Sequence, residues 1–204
     1  MEIIKPFLKN LIDGAVGMSS TYKRNLLKDY IQIVILKFIY ANSKYSQMVF
    51  YGGSCLRHCF DLPRLSEDLD FVDLKKDIQL DDLAADLADY FKKNTDLKAK
   101  IKVQPSRVQI KFAILKELGL ANPSDSDMLY LKLEVFKQFD FCAGFKINIV
   151  PIFKFNRSII IKTFDLPTMM ATKIGAVMNR RWRKIAKSGE LLSNVKGRDY
   201  FDLF

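Results

Sequence analysis

The chain has 204 residues, 49% hydrophobic and 12% aromatic, enough to close one ordinary domain around an aromatic-rich core. No apolar run approaches the roughly 20 residues of a membrane span. The start, MEIIKPFLKNLIDG, lacks the basic and apolar regions of a signal peptide, so a cytoplasmic protein with no membrane partner is expected. The 33 Lys and Arg outnumber 23 Asp and Glu, for a net charge of +10. That excess suits a polyanionic partner, nucleic acid first, and equally a lysine-rich surface kept for solubility. Three cysteines are an odd number with no disulfide framework. Cys55, His58 and Cys59 lack a second ligand pair, so buried thiols on a helix are the simpler reading than zinc.

In chain order, residues 2–46 read as helical. Leu26, Leu27, Tyr30, Ile31, Val34, Ile35 and Phe38 recur at three- and four-residue spacing behind the N-cap candidates Ser19, Ser20 and Thr21. Residues 48–51 read as a short strand. Ser54 to Phe60 reads as a helix that Ser54 caps after a Gly-Gly turn, and Leu69 to Val72 as a strand. Residues 79–93 form an amphipathic helix with acids early and lysines late. Four alternating or β-branched runs follow, VQIKFAIL, LYLKLEVFKQ, KINIVPIF and SIIIKTF. Residues 166–181 return to helical period, and GRDYFDLF opens a last helix after Gly197. The order predicts an α+β fold with a mixed, largely antiparallel sheet, N-terminal helices and a short C-terminal helical region. Residues 1–165 form the expected core, and 166–204 a C-terminal segment that completes the site.

The chemistry concentrates in GGSCLRHCFDLPRLSEDLDF, residues 52–71. Asp68 and Asp70, two apart on a strand, share one face while Leu69 and Phe71 point to the core. Paired carboxylates of this kind suit Mg²⁺, and two such ions can clamp the oxygens of a phosphoryl-type transfer. Gly52, Gly53 and Ser54 allow close backbone approach to phosphates at a helix start. Alone, each half is an ordinary turn or strand end. With 13 residues between Ser54 and Asp68, they make one site.

This pairing resembles the polymerase-β-like nucleotidyltransferase superfamily. More narrowly, Gly52 to Arg57, Leu62 to Ser66 and Glu67 to Phe71 look like the signature of the AbiEii/AbiGii family of type IV toxin–antitoxin nucleotidyltransferases. Two later motifs match as well, Lys173-Ile-Gly-Ala176-Val-Met-Asn-Arg180 and Arg198-Asp199-Tyr-Phe-Asp202-Leu203. The stretch between Arg180 and Arg198 is longer than in compact members. The sequence stops just after the last motif, where many members continue into a larger helical domain.

The resemblance implies a third carboxylate on a neighbouring strand. Glu134 is the expected one, on the face opposite Leu129, Leu131, Leu133 and Val135, with Asp125, Asp127 and Asp140 as loop alternatives. Asp68, Asp70 and Glu134 would then hold two Mg²⁺ (Mn²⁺ the alternative) and a nucleoside triphosphate. Lys173 would meet the triphosphate, and Asp199 would orient Lys173 or a metal-bound water. Gly52, Gly53, Ser54, Arg57, Arg64, Ser66 and Arg180 are expected around the nucleotide, with Arg57 and Arg64 alternatively bracing the acids. Ser66 is alternatively a site where modification blocks the pocket, and Asp202 is expected to cap or pair structurally. Residues 180–198 hold seven basic residues, one acid and Trp182, a composition that fits a single-stranded RNA end. By resemblance the reaction moves a nucleoside monophosphate to RNA, the tRNA 3′ end foremost, which blocks translation, and a cognate antitoxin is the partner. The alternatives are transfer to a protein hydroxyl or small molecule, and a non-catalytic RNA-binding or complex-forming module.

Overall fold

The computed structural model describes residues 1–139, 144–179, 184–185, 191–193 and 197–203. Two helices lead, α1 (Lys5–Gly14) and α2 (Ser20–Ala41). Ser19 is the N-cap of α2: extended at φ −62°, ψ 152°, its hydroxyl accepts the Tyr22 N–H. Such a cap stabilises a helix by roughly 1 kcal/mol. Leu27, Ile31, Val34 and Ile35 of α2 are buried at three- and four-residue spacing. Then come β1 (Val49–Tyr51), α3 (Gly52–Cys59), β2 (Leu69–Val72) and α4 (Leu80–Asn94). The remaining strands are β3 (Ala99–Gln104), β4 (Arg107–Ala113), β5 (Met128–Phe136), β6 (Ile147–Lys154) and β7 (Arg157–Phe164). Helix α5 (Leu166–Asn179) follows, then the small pair β8 (Lys184–Ile185) and β9 (Leu191–Ser193), and helix α6 (Gly197–Phe201).

The main sheet has seven strands in the order β3-β4-β5-β2-β1-β7-β6. Four neighbouring pairs are antiparallel, while β2–β5 and β1–β7 are parallel. The mixed, largely antiparallel α+β arrangement is the one expected. The parallel β2–β5 pair fixes the site, because its register sets Asp70 opposite Glu134.

Strand β3 was not expected. Its sequence, AKIKVQ, alternates lysine with half-buried Ile101 and Val103, whereas the matching positions of β4 are fully buried. β3 and β6 are the sheet's two edges. Exposed Lys100 and Lys102 on β3, and Pro151 on β6, are features that discourage strand addition. No described helix is long and apolar enough to cross a membrane.

Candidate active site

A cleft of about 370 Å³ opens where β1, β2 and β5 meet α3, α5 and α6. The chain enters α3 through Tyr51, which is extended at φ −149°, so the helix begins at Gly52 itself. Gly52 has φ +81°, where a side chain is strained, and a Cβ there would sit 2.4 Å from Asp70 Oδ2. A Cβ on Gly53 would sit 2.8 Å from Arg64 Nη2 and 3.0 Å from Ser66 Oγ. The glycines therefore let three cleft side chains close onto the start of α3. Gly52→Ala is expected to fold with a lowered Tm, since a left-handed alanine costs roughly 1–2 kcal/mol. It should also lose activity on the order of 100-fold, because Asp70 must move and small misplacements are that costly. Parallel melts and rate measurements check this, and activity near that of the unmodified chain would refute it.

Leu69 and Phe71 are fully buried, while Asp68 and Asp70 face the cleft. Asp68 Oδ2 lies 3.7 Å from Lys132 Nζ on β5, and Glu134 Oε1 lies 3.1 Å from Arg107 Nη1 on β4. All three acids line the cleft. They are not drawn into one cluster: among the described residues, no group of three or more His, Cys, Asp or Glu is placed to hold a metal ion. Like charges repel, and Asp68 and Glu134 each lean on a nearby cation. The expected three-carboxylate set is therefore two aspartates flanked by Glu134. Hard oxygen donors, spaced two apart on one strand face, still fit Mg²⁺ chemistry.

The cationic wall comes from far along the chain. Lys173 Nζ on α5 lies 2.7 Å from Asp202 Oδ2, just after α6. Arg64 grips the same carboxylate with two hydrogen bonds, Nε to Oδ1 at 2.5 Å and Nη2 to Oδ2 at 2.7 Å. Burial alone would raise the Asp202 carboxyl, but the hydrogen bonds and charges of Arg64 and Lys173 overcome it and hold it below its ordinary value. Asp202 is thus a partner of Lys173 as well as of Arg64. Asp199 is buried and lines the cleft. At the rim, Glu67 bridges Lys28 at 3.1 Å and Arg198 at 2.8 Å. Burial raises Glu67 and the two cations outweigh it, leaving its carboxyl lowered.

Two expected nucleotide-binding residues lie elsewhere. Ser54 neither caps α3 nor lines the cleft; Tyr51 is the cap, and the buried Ser54 hydroxyl donates to the Asp68 main-chain carbonyl, tying α3 to the start of β2. Arg57 turns back to α2, with Nε 3.3 Å from Asp29 Oδ1. It braces the fold, not the acidic cluster, because Asp29 is a buried acid that needs a cation. Ser66 does line the cleft, and its carbonyl accepts from Gln32 Nε2 at 3.0 Å. Arg180, Trp182 and Asp140 lie outside the described residues.

Behind the cleft, Cys55 Sγ lies 2.9 Å from Thr163 Oγ1, and His58 Nε2 lies 2.9 Å from Gln32 Oε1. Burial, then the charges of Lys154 and Arg57, push His58 down to about 3, so it is neutral at ordinary pH.

Several lining residues had been given no part in the site. Lys132 and Arg198 are cations beside the acids, and Tyr51 and Phe136 form an apolar wall with ring centroids 5.9 Å apart. Strand alternation places Phe136 on the face of Glu134, which was the available signal.

The seven-stranded mixed sheet, with paired aspartates lining a cleft beside a glycine turn, fits a nucleotidyltransferase. Within that class, the profile of the AbiEii nucleotidyl transferase toxin family (type IV toxin–antitoxin system) matches residues 36–204, and the chain belongs to that family. Among solved structures it is similar to MenT4, a nucleotidyltransferase toxin of Mycobacterium tuberculosis H37Rv, with a TM-score of 0.56 at 12% identity over 85% of this chain. It is also similar to JHP933 of Helicobacter pylori, with a TM-score of 0.50 at 22% identity over 88% of this chain. The alignments span 58% and 64% of those two chains. Comparison with curated proteins gives no match.

Proposed function

We propose that this chain transfers a nucleoside monophosphate from a nucleoside triphosphate to an RNA 3′-hydroxyl, the tRNA 3′ end foremost, and so arrests translation until an antitoxin intervenes. One observation carries the reading: an acidic wall of Asp68 and Asp70 faces a cationic wall of Lys173 and Arg64 across a glycine turn. Acids alone would repel a triphosphate, and cations alone would bind it without chemistry.

The triphosphate lies between these walls. Lys173 and Arg64, held in place by Asp202, offset its β- and γ-phosphate charge. The Gly52 and Gly53 backbone lets it approach the start of α3. Asp68 and Asp70 would hold the divalent cation, Mg²⁺ first, which would supply Lewis-acid stabilisation of charge on the phosphate oxygens. The acceptor oxygen bonds to the α-phosphorus, the bond to the β-phosphate oxygen breaks, and pyrophosphate leaves. Glu134 stands beside Asp70 as the base for the acceptor proton.

The test incubates the protein with total RNA, a protein mixture and each labelled triphosphate. Label on RNA, with pyrophosphate released and both lost on chelating divalent ions, is the expected result. Label confined to protein would overturn the RNA acceptor, and no label at all would overturn nucleotidyl transfer.

A further inference from the structure

The cleft face of the sheet continues past Glu134 onto β5, β4 and β3, and there its charged side chains are basic. The buried side of these strands is apolar, with Val108, Ile110 and Leu131 inside. The open side carries cations in cross-strand rows. One row runs Lys100, Lys111, Tyr130; the next runs Lys102, Gln109, Lys132. The second row ends at the cleft, where Lys132 meets Asp68. Arg107 stands beside Glu134 in the same way.

Lys100 and Lys111 are directly opposite each other, a placement that destabilises a sheet. Edge protection would account for lysines on β3, but not for Lys111, Arg107 and Lys132 on inner strands. Among the described residues, the acids on this face stand at its cleft end, where Glu134 faces Arg107 and Asp68 faces Lys132. Tyr130 is 42% exposed, and Lys111 Nζ lies 5.5 Å from its ring centroid.

We infer that the open face of β3, β4 and β5 is the track on which the single-stranded end of the acceptor RNA docks, its phosphates on Lys100, Lys102 and Lys111 and a base on Tyr130, leading its 3′-hydroxyl to the carboxylates. This rests on the RNA-acceptor reading above. Charge complementarity carries it: an exposed aromatic among point cations is the composition that binds single strands without reading sequence. Strands stand about 4.8 Å apart, so the three span roughly 10 Å, room for a few nucleotides ahead of the reacting end.

The experiment compares Lys100→Gln/Lys102→Gln/Lys111→Gln with a control triple on other faces, Lys9→Gln/Lys37→Gln/Lys92→Gln. Thermal melts check that both fold. Equilibrium binding of a short single-stranded RNA is followed against salt, and transfer to the same RNA against substrate concentration. The track triple is expected to weaken RNA binding about tenfold or more and to flatten the salt slope by about 2, at roughly 0.7 per lost phosphate contact. It should raise KM for RNA while KM for the triphosphate stays unchanged, and the control triple should do neither. Equal effects of both triples, or unchanged RNA binding by the track triple, would overturn the inference. So would a track triple that loses an acidic protein instead of RNA. A wild-type protein that binds RNA through these lysines yet labels none would overturn the acceptor reading and leave the docking face standing.

Discussion

Asp70→Asn is expected to reduce nucleotidyl transfer on the order of 1000-fold with no loss of stability. The substitution keeps the side chain's shape, so the tight fit against Gly52 survives. What it removes is negative charge at the position registered against Glu134 and two residues from Asp68. Three acids on one cleft wall repel, and deleting one relieves that repulsion. Tm should therefore hold or rise while the rate collapses, which separates a functional acid from a structural one. Single-turnover transfer beside a thermal melt reads both quantities. A rate within tenfold of wild type, or a large drop in Tm, would show that Asp70 serves the fold instead.

Asp202→Asn should show the opposite pairing of effects, losing stability and activity together. The Asp202 side chain is fully buried, and those of Lys173 and Arg64 are only 10% and 17% exposed. Removing the shared anion leaves two cations facing each other away from solvent, a change that costs about 3–5 kcal/mol. In a chain of this size that corresponds to a Tm lower by roughly 10 °C. The pH dependence gives the sign. The Asp202 carboxyl is held below its ordinary value, near 3.9 when unfolded. Its contribution is then complete above that value and is lost as pH falls through the lower folded one. The gap between wild type and variant should be full at neutral pH and should narrow below about pH 4. His58 adds a slope shared by both proteins: folded at about 3, it is protonated far more readily once unfolded, so both lose stability as pH falls below roughly 6.5. Only the difference between the two melts reports Asp202, and a gap that stays constant into acid would refute this assignment.

Local pattern exposed much of this molecule in advance, and the reasons are uneven. Leu69–Val72 was legible as a strand because Leu69 and Phe71 alternate with Asp68 and Asp70. Ser19 was legible as a cap because a helix start needs one. Strand β3 was not, since its apolar side offers only Ala99, Ile101 and Val103, none of them fully buried, behind a row of exposed lysines. Within the site, the two aspartates and the Gly-Gly turn could be read from spacing. The destinations of Ser54 and Arg57 could not, because both depend on acceptors supplied by distant chain, the Asp68 carbonyl and the buried Asp29. Asp202 was undervalued for the same reason: its importance lies in joining Arg64 to Lys173, and nothing local announces that.

The join also has an order in time. The anion that aligns the cleft's cations lies 138 positions beyond Arg64. During synthesis the sheet, the glycine turn and the acidic strand are all made before it. Until residue 202 has been added, Arg64 and Lys173 lack the carboxylate that both of them grip. For a member of a toxin family, helix α6 and the turn after it then act as a safety catch: the cleft's cations stay unaligned until that segment has been made and has docked.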